Sequence, residues 1–408
     1  MKNRNYRWYL SVSGFLLLFF FISSCKKEDA TTGERLFAVE NSDVYSCTPS
    51  SDGLLLYNRQ ENKLSFTCLD ADGTETWKTS LLGDSFAFYH LVTLSFAPAK
   101  DKGMCAVFML KHLLADSAIT AVMVRLNSAG YVLTKSIIPQ LADPEIRFDA
   151  FTELPDGKWR LAYDLFDNQK LFTFSQNCQP LYSVMLPFDS DIKQMIACSD
   201  GATCIYNSNS LLYVVDSIGF IKWSYQFDIP SYHPDSGSYY VKLSDMVIGE
   251  NNELYVAGYS NYFDRVADQE YHFFVVHFDV NGTRIAGKEI QTGKNSYNPR
   301  ISFEQDHHIW LAGSSTNLGT NENEIDDSYG DRFFRFTTLS KSMVCRLNSN
   351  LDTEWLRFFG NSWGSESAGI SVPKDGRVLM IGRETAVGNK NNIKLFKQLI
   401  DASGNVVF

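Results

Sequence analysis

The sequence lacks the short motifs that mark several common catalytic and nucleotide-binding sites. It contains no glycine-rich phosphate loop and no His-Glu-x-x-His pair, and it predicts no Gly-x-Ser-x-Gly nucleophile elbow. P-loop nucleotide binding and helical zinc-protease chemistry are therefore not expected. Catalytic residues gathered from distant parts of the chain would leave no such motif, so other kinds of enzyme remain open.

Positive charge is also in short supply. The chain has 37 Lys and Arg against 47 Asp and Glu, with a formal net charge of -10 at pH 7. Nucleic acids and anionic lipid headgroups are bound by clustered Lys and Arg. We therefore expect no nucleic-acid partner, whereas a cationic ligand or a metal is compatible with the charge.

Cysteine is sparse, with eight residues and no adjacent pair. If Cys25 is modified, seven remain, and an odd number in an oxidising compartment leaves at least one thiol free or paired between molecules. Cys198 and Cys204 flank a Ser-Asp-Gly turn, so they are candidates for a disulfide across that hairpin. Buried free thiols are the alternative.

The N-terminal segment combines a basic start with an apolar run. Lys2, Arg4 and Arg7 precede the nearly continuous apolar segment 8–21, and Ile-Ser-Ser leads to Cys25. This order predicts a secretory signal peptide. A transmembrane helix is the alternative, but an apolar run of about seventeen residues is at the short limit for crossing a bilayer.

Residues 22–25 resemble the lipobox of bacterial lipoproteins, in which the cysteine is diacylated and becomes the mature N-terminus. The resemblance implies a lipid anchor on Cys25, which several acyl chains make stable. Residues 26–29, Lys-Lys-Glu-Asp, resemble the signal that directs lipoproteins of one Gram-negative lineage to the exterior of the outer membrane. We expect an outer-membrane lipoprotein that faces the cell exterior. A plain solvated tether and a periplasmic orientation are the alternatives.

A pattern of turns and short strands then repeats seven times. In each copy a short apolar strand follows turn residues, as at Asp156-Gly157, and a second strand ends in a turn that begins with Asp, Asn or Ser. Five of the seven second turns keep a glycine where positive φ is needed. The seven turn-opening residues are Asp70, Asn127, Ser175, Asp216, Asp279, Asn348 and Asp401.

These residues recur at intervals of about 55 on average, close to the about 40–50 residues of a four-stranded propeller blade. The sequence therefore predicts an all-β fold, a single seven-bladed β-propeller of four-stranded blades. We assign residues 1–24 to the signal peptide, 25–33 to a lipidated tether and 34–408 to the propeller. We also predict that segment 35–40 supplies the outermost strand of the last blade and closes the ring, leaving few open edges.

The first copy carries a recognisable pattern in Asp70, Gly73 and Trp77. The stretch 69–83 resembles the repeat of quinoprotein-type (PQQ-like) propellers, in which Asp, Gly and Trp mark the outer hairpin of each blade. Asp and Gly are one residue closer here than in that repeat. The resemblance implies the fold only, because that family binds its quinone beside two adjacent cysteines and this chain has none. We expect no cofactor.

An acidic stretch at 321–331 has five carboxylates in eleven residues. These are enough oxygen ligands for a calcium ion, although the spacing matches no standard loop. Asp326, Asp327 and Asp331 are therefore weak metal-ligand candidates. A solvated acidic loop is the alternative.

Three insertions, at 111–119, 259–271 and 314–340, fall between the second and third strands of their blades. In a propeller such loops emerge on one face, and long loops in compact domains are often functional. The longest insertion alternates Arg with Phe, residue types typical of binding hot spots or of prolonged strands. Its candidate contact residues are Arg332, Phe333, Phe334, Arg335 and Phe336.

The leading functional hypothesis is a non-catalytic, membrane-tethered module that binds a protein or a glycan through this decorated face around blades 5 and 6. One alternative is an enzyme that acts on polysaccharide with two carboxylates near the propeller channel. A second alternative is a periplasmic scaffold for outer-membrane assembly.

Overall fold

A computed structural model describes residues 37–38, 43–50, 53–60, 63–82, 89–113, 118–166, 168–188, 190–227, 241–263, 266–290, 296–304, 307–315, 341–359, 365–372, 376–386 and 389–407. Nearly all regular structure in this part of the chain is β-strand. Its helices are two three-residue 3-10 turns, Pro139–Leu141 and Glu250–Asn252. Neither of these helices is long or apolar enough to cross a bilayer.

The described residues form 28 strands, numbered here in chain order. They are β1 (Phe37–Ala38), β2 (Asp43–Ser50), β3 (Gly53–Gln60), β4 (Lys63–Leu69), β5 (Glu75–Leu82), β6 (Tyr89–Pro98), β7 (Met104–His112), β8 (Ile119–Leu126), β9 (Val132–Ile137), β10 (Arg147–Glu153), β11 (Trp159–Leu165), β12 (Asn168–Phe174), β13 (Pro180–Met185), β14 (Ile192–Ala197), β15 (Thr203–Asn207), β16 (Leu211–Val215), β17 (Ile221–Gln226), β18 (Val241–Ile248), β19 (Leu254–Phe263), β20 (Val266–Phe278), β21 (Arg284–Ile290), β22 (Ser296–Phe303), β23 (Ile309–Ser315), β24 (Lys341–Leu347), β25 (Thr353–Phe359), β26 (Ser365–Ser371), β27 (Val378–Ala386) and β28 (Asn389–Ile400).

The strands form seven antiparallel sheets of four, as the sequence predicts. Six sheets use four consecutive strands, beginning with β2-β3-β4-β5, and these are blades 1 to 6. Blade 7 has the order β26-β27-β28-β1, so its outermost strand comes from the N-terminal side of the ring. The innermost strands β2, β6, β10, β14, β18, β22 and β26 contact one another in a closed cycle. The molecule is therefore a seven-bladed β-propeller.

The predicted closing strand is confirmed. Phe37 pairs with Leu395 and Ala38 with Lys394, antiparallel to β28. A second connection between the first and last blades lies further in, where Lys397 donates to the Gly73 carbonyl at 2.8 Å. The ring is thus joined both by a strand and by contacts between its end blades, which leaves the sheet of blade 7 covered at its outer edge.

The turn-opening residues recognised in the sequence have a common role. The Asp70 carboxylate accepts the backbone N–H groups of Asp72 and Thr74, at 3.0 and 2.8 Å. Asp216, Asp279, Asn348, Asp401 and Asn127 make the same pair of bonds in their blades. A short side-chain acceptor that bonds its own turn fixes the hairpin. This explains why the pattern repeats.

Apolar side chains fill the seven spaces between neighbouring blades, one cluster in each space. The second and third strands of each blade contribute most of them, because both faces of these strands are covered by neighbours. In β7, for example, the seven residues Met104 to Leu110 are all buried. The core is therefore distributed around the ring and not concentrated at its centre.

At the outer edge of three interfaces, a tryptophan covers a glycine of the next blade. Trp223 in β17 lies against Gly282, where an added Cβ would be 2.4 Å from the indole ring. Trp355 in β25 lies against Gly404 in the same way, with 3.0 Å to the ring. Each of these glycines also has positive φ, 82° in both. Glycine is required here for its backbone and for the space it leaves.

The size relation is reversed at two other interfaces. Where the outer strand has the small residues Thr134 and Ala286 in place of Trp, the facing turn has Cys178 and Leu351 in place of Gly. Both of these residues keep positive φ, 60° and 63°, and both are fully buried. A side chain from the turn therefore fills the volume that the indole fills elsewhere, at the cost of a left-handed backbone.

We expect Gly282→Ala to lower the free energy of unfolding by about 2–4 kcal/mol, since it combines left-handed strain with overpacking against Trp223. Urea unfolding followed by tryptophan fluorescence measures the change. Gly201→Ala is the matched control, because Gly201 has φ 86° but its added Cβ would meet only Ser217, at 3.6 Å. The control should lose about 1 kcal/mol. Equal losses in the two variants would contradict the packing argument.

Candidate functional site

Every innermost strand contains a β-bulge near its start. The register shifts by one residue in each of the seven strands. A bulge reverses which face a side chain points to and bends the strand locally. Several polar side chains at or next to these bulges bond the neighbouring inner strand.

Two of these polar side chains connect blade 2 to blade 3 and blade 3 to blade 4. The Thr93 hydroxyl accepts the backbone N–H of Phe148 at 3.0 Å. The Asp149 carboxylate accepts the backbone N–H of Ile192 at 3.2 Å. Each bond reaches the start of the next inner strand, where backbone donors would otherwise be unpaired.

The connection continues from blade 4 to blade 6. The Gln194 amide donates to the Asp245 carboxylate at 2.5 Å, and its carbonyl accepts the backbone N–H of Met246 at 3.0 Å. Asp245 in turn accepts the backbone N–H of Ile301 at 3.0 Å. Burial raises the pKa of Asp245, although the nearby Arg300 opposes the shift. These groups are committed to holding the inner strands together.

A cluster of charged side chains lies at the mouth of the ring in blades 3 and 4. We call it the mouth cluster, and it consists of Arg147, Asp149, Asp164, Asp191 and Lys193. Arg147 forms a 2.5 Å ion pair with the buried Asp164, and Lys193 lies 3.4 Å from Asp191. The other oxygen of Asp164, Oδ1, has no hydrogen-bond partner among the described residues. The mouth cluster therefore presents both charge signs next to a buried acceptor.

Asp149 is the group of the mouth cluster with the most altered acidity. Burial, with the negative charges of Asp191 and Asp164, raises its pKa to about 6 against the hydrogen bond from Ile192. A carboxyl with this pKa exchanges its proton near neutral pH. It can therefore act as a proton donor or as a hydrogen-bond donor to a ligand oxygen.

The hairpins that surround the mouth cluster differ greatly in length. In blade 4 the second and third strands have five residues each. In the next blade the corresponding strands β19 and β20 have 10 and 13 residues. The short hairpin lies directly beside the cluster, because Ser208 in its turn donates to the Asp191 carbonyl at 2.8 Å. The short hairpin leaves an opening beside the longer hairpin of blade 5, and we call this opening the blade 4 notch.

The insertion predicted at 259–271 is mostly strand. Tyr262 pairs with Ala267 and Phe263 with Val266, so the hairpin of blade 5 continues outward as a paired ribbon. Blade 7 has a similar extension, which ends at the pair Ala386 and Asn389. The sequence identified the extra length but not that backbone pairing orders it.

Several predicted site residues lie outside the described part of the chain. These are the proposed lipid attachment site Cys25, the candidate contact residues Arg332, Phe333, Phe334, Arg335 and Phe336, and the weak metal candidates Asp326, Asp327 and Asp331. The strands that flank the longest insertion are described, and they place its two ends at Ser315 and Lys341, on the hairpin face. Among the described residues, no three His, Cys, Asp or Glu side chains group as metal ligands would.

The candidate disulfide Cys198–Cys204 lies within the described structure. The two sulfurs are 3.4 Å apart, and both side chains are buried. Both are thiols in this structure, whereas a disulfide bond would bring the sulfurs to about 2.05 Å. The pairing stays a prediction.

Residues 360–364 spell Gly-Asn-Ser-Trp-Gly, so the letters of the Gly-x-Ser-x-Gly pattern do occur once. The nucleophile elbow requires a strand followed by a helix. Here the segment connects strand β25 to strand β26, and its own residues lie outside the described structure. The context is that of a connection between two blades and does not support a serine nucleophile.

Comparison with known proteins finds similarity at the level of structure. No family model matches the sequence, and no curated protein matches it. The chain is similar to a catalytically inactive virginiamycin B lyase from Staphylococcus aureus with quinupristin, with TM-score 0.51, 14% identity, and coverage of 90% of this chain and 97% of that chain.

Two other solved structures are more distant in shape. A streptogramin B lyase has TM-score 0.49 and 15% identity, covering 90% of this chain and 97% of its own. A protein of unknown function from Bacteroides caccae has TM-score 0.41 and 11% identity, covering 76% and 94%. At these identities the similarity concerns the propeller fold alone.

We expect the stability difference between the wild type and Asp149→Asn to depend on pH. Because the folded-state pKa of Asp149 is raised, its contribution to stability is full below about pH 4 and is lost as pH rises through about 6. The wild type should therefore match the variant at pH 3.5 and be less stable by about 3 kcal/mol at pH 7.5. Urea unfolding at several pH values measures this difference.

Asp156→Asn serves as a control with the opposite sign. The hydrogen bond from Lys158 lowers the pKa of Asp156, so the wild type gains stability relative to this variant as pH rises from the folded-state pKa to the unfolded-state pKa, and the gain is complete above it. A difference for Asp149→Asn that stays constant between pH 3.5 and 7.5 would show that Asp149 titrates normally.

Proposed function

We propose that this protein is a lipid-anchored propeller of the outer membrane that acts as a non-catalytic binding module for a protein or a glycan. The anchor is Cys25, and the chain faces the cell exterior. The lipobox-like residues 22–25 and the Lys-Lys-Glu-Asp segment that follows support this location. The propeller would then present its hairpin face to ligands outside the cell.

The observation that carries the binding role is the blade 4 notch beside the mouth cluster. Binding sites in compact folds are concave and combine walls with a few convergent polar groups. The long hairpin of blade 5 forms one wall, and the insertion that leaves Ser315 in blade 6 emerges on the same face. Lys193 and Arg147 supply hydrogen-bond donors, and Asp191 and Asp149 supply acceptors. Such a mixture suits the hydroxyl groups of a glycan or the backbone and side chains of a peptide.

The inner-strand groups argue for a non-catalytic role at the centre of the ring. Thr93, Gln194 and Asp245 already form hydrogen bonds with the neighbouring blade. A catalytic group must be free to exchange protons or bonds with a substrate. Asp149 also accepts the Ile192 N–H of the next blade, but it is partly exposed, so it and its neighbours in the mouth cluster are accessible to a ligand.

An enzyme acting on polysaccharide is the second candidate, and the pKa of Asp149 favours it. A carboxylic acid with a pKa of about 6 resembles the general acid of glycoside hydrolysis, and Asp191 would be the partner carboxylate. Under this alternative Asp149→Asn abolishes polysaccharide cleavage but retains binding. Under the binding hypothesis no cleavage is detected in the wild type.

Site-specific photo-cross-linking tests the binding role. With p-benzoylphenylalanine in place of Lys193, irradiated cells should yield a protein adduct or a glycan-shifted species, because position 193 lies at the notch. The same photoreactive residue in place of Lys158 is the control, since Lys158 is equally exposed but belongs to the turn between the first and second strands, on the opposite face. Adducts of equal yield from both positions, or from neither, would argue against a ligand at the notch.

The anchor has its own test. Cys25→Ser should remove incorporated fatty acid and move the protein from the membrane fraction to the soluble fraction, because the thiol is the site of acylation. Ser24→Ala keeps a small residue before Cys25 and should retain both the lipid and the membrane location. Protease treatment of intact cells then reports the side: degradation supports surface exposure, and protection supports the periplasmic alternative.

A further inference from the structure

Cys178 occupies a backbone position that other blades give to glycine. It closes the turn between β12 and β13 with φ 60°, where five of the other six turns have Gly. A left-handed conformation is unfavourable for a residue with a Cβ. The side chain must therefore contribute something that glycine cannot.

The thiol of Cys178 meets a second thiol across the interface between blades 2 and 3. Its sulfur is 4.0 Å from the sulfur of Cys105, which lies in β7 of the neighbouring blade. Both side chains are fully buried in one apolar cluster together with Ile138 and Trp159. The two sulfurs are therefore close to each other and shielded from solvent.

Filling space does not by itself explain a cysteine at this position. The equivalent vacancy between blades 5 and 6, next to Ala286, is filled by Leu351, a larger and purely apolar side chain. The turn of blade 3 is also held to blade 2 by a hydrogen bond, from Gln179 to Ser136 at 3.0 Å. Packing and hydrogen bonding at the interface are thus available without sulfur.

We propose that Cys105 and Cys178 form a disulfide that covalently joins blades 2 and 3. The sulfurs would approach from 4.0 Å to about 2 Å. One S–S bond forms, both thiol protons are released, and two electrons pass to the disulfide of a thiol oxidoreductase, which becomes a dithiol.

The electrostatic surroundings support Cys178 as the sulfur that reacts first. The hydrogen bond from Cys105 lowers the pKa of Cys178, and the nearby Arg125 lowers it further, whereas burial opposes both effects. Burial raises the pKa of Cys105. The Cys178 thiolate would attack the disulfide of the oxidoreductase, and Cys105 would then displace that protein from the mixed disulfide. These steps belong to a late stage of folding, when blades 2 and 3 already bring Cys105 and Arg125 beside Cys178 but still admit the oxidoreductase.

The bond would add a covalent link to an interface that is otherwise held by packing and hydrogen bonds. It links residues 73 positions apart, in different blades, whereas the candidate pair Cys198 and Cys204 links two residues of one hairpin, 6 apart. A longer closed loop removes more freedom from the unfolded chain. The disulfide therefore affects the stability of the ring, whatever the notch binds. The proposal rests on the proposed function in one respect only, which is that the protein is exported to an oxidising compartment.

Peptide mapping tests the bond directly. The full-length protein is extracted from membranes with detergent, its free thiols are blocked during cell lysis, and it is digested without reductant. We expect one linked pair of peptides that contains Cys105 and Cys178 and separates on reduction. Recovery of both cysteines as blocked thiols would overturn the proposal.

A second arm separates a failure of geometry from a failure of export. The full-length protein is reduced, unfolded and refolded in detergent with oxidised glutathione. If the thiols are free in the membrane-derived protein but join in this buffer, the chain does not meet an oxidant in the cell and the proposed location fails with the disulfide. If they do not join in either preparation, the geometry is at fault and the proposed function is unaffected.

Thermal unfolding measures the consequence of the bond. In a Cys204→Ala background, which removes the other close pair, reductant should lower the Tm by roughly 3–8 °C. Adding Cys178→Gly should abolish this response, since glycine suits φ 60° and the fold is retained. Cys345→Ala is the matched control: it removes a buried thiol in blade 6 and should leave the full response. A reductant effect that persists in Cys178→Gly would contradict the proposal.

Discussion

The structure depends on the burial of both faces of every blade. In β11 and β15 nearly every residue is buried, whichever side of the sheet it faces. A sheet that is apolar on both faces needs a layer on each side. In a ring each blade supplies that layer to two others, and the seven apolar clusters between blades record this sharing. Both faces of every blade are therefore buried only when the ring is closed.

The join between the first and last blades shows where this condition is hardest to meet. The apolar cluster there is small and consists mainly of leucines, including Leu54, Leu69 and Leu379. The short strand at Phe37–Ala38 adds backbone pairing, and Arg377 forms an ion pair with Asp72 at 3.0 Å. An exposed ion pair contributes little by itself. Backbone pairing and leucine packing therefore provide most of the closure.

Most of the fold could be predicted from the sequence, because its signals are local. A residue such as Asp70 or Asp279 bonds its own turn, so its role is visible without knowledge of any other blade. The pairing of Trp223 with Gly282, and of Ala286 with Leu351, was not predicted. Both members of each pair stand at recognisable positions of the repeated segments. The contact, however, joins a residue of one blade to a residue of the next, so it is not visible within a single repeat. A comparison of each outer-strand residue with the turn of the following copy would have found it.

The candidate site was not predicted, because bulges decide it. Strict alternation along β10 or β18 does not tell which side chain faces the axis once an extra residue reverses the register. Asp149 and Asp245 lie at the bulges of their strands, and both accept a backbone N–H from the next blade. Asp245 is fully enclosed beside Arg300, so its charge serves the ring. Asp149 is partly exposed, and its burial together with the charges of Asp191 and Asp164 raises its pKa to about 6, so that its protonation changes near neutral pH. A bulge thus places a buried structural carboxylate in one blade and a partly exposed carboxyl with a raised pKa in another.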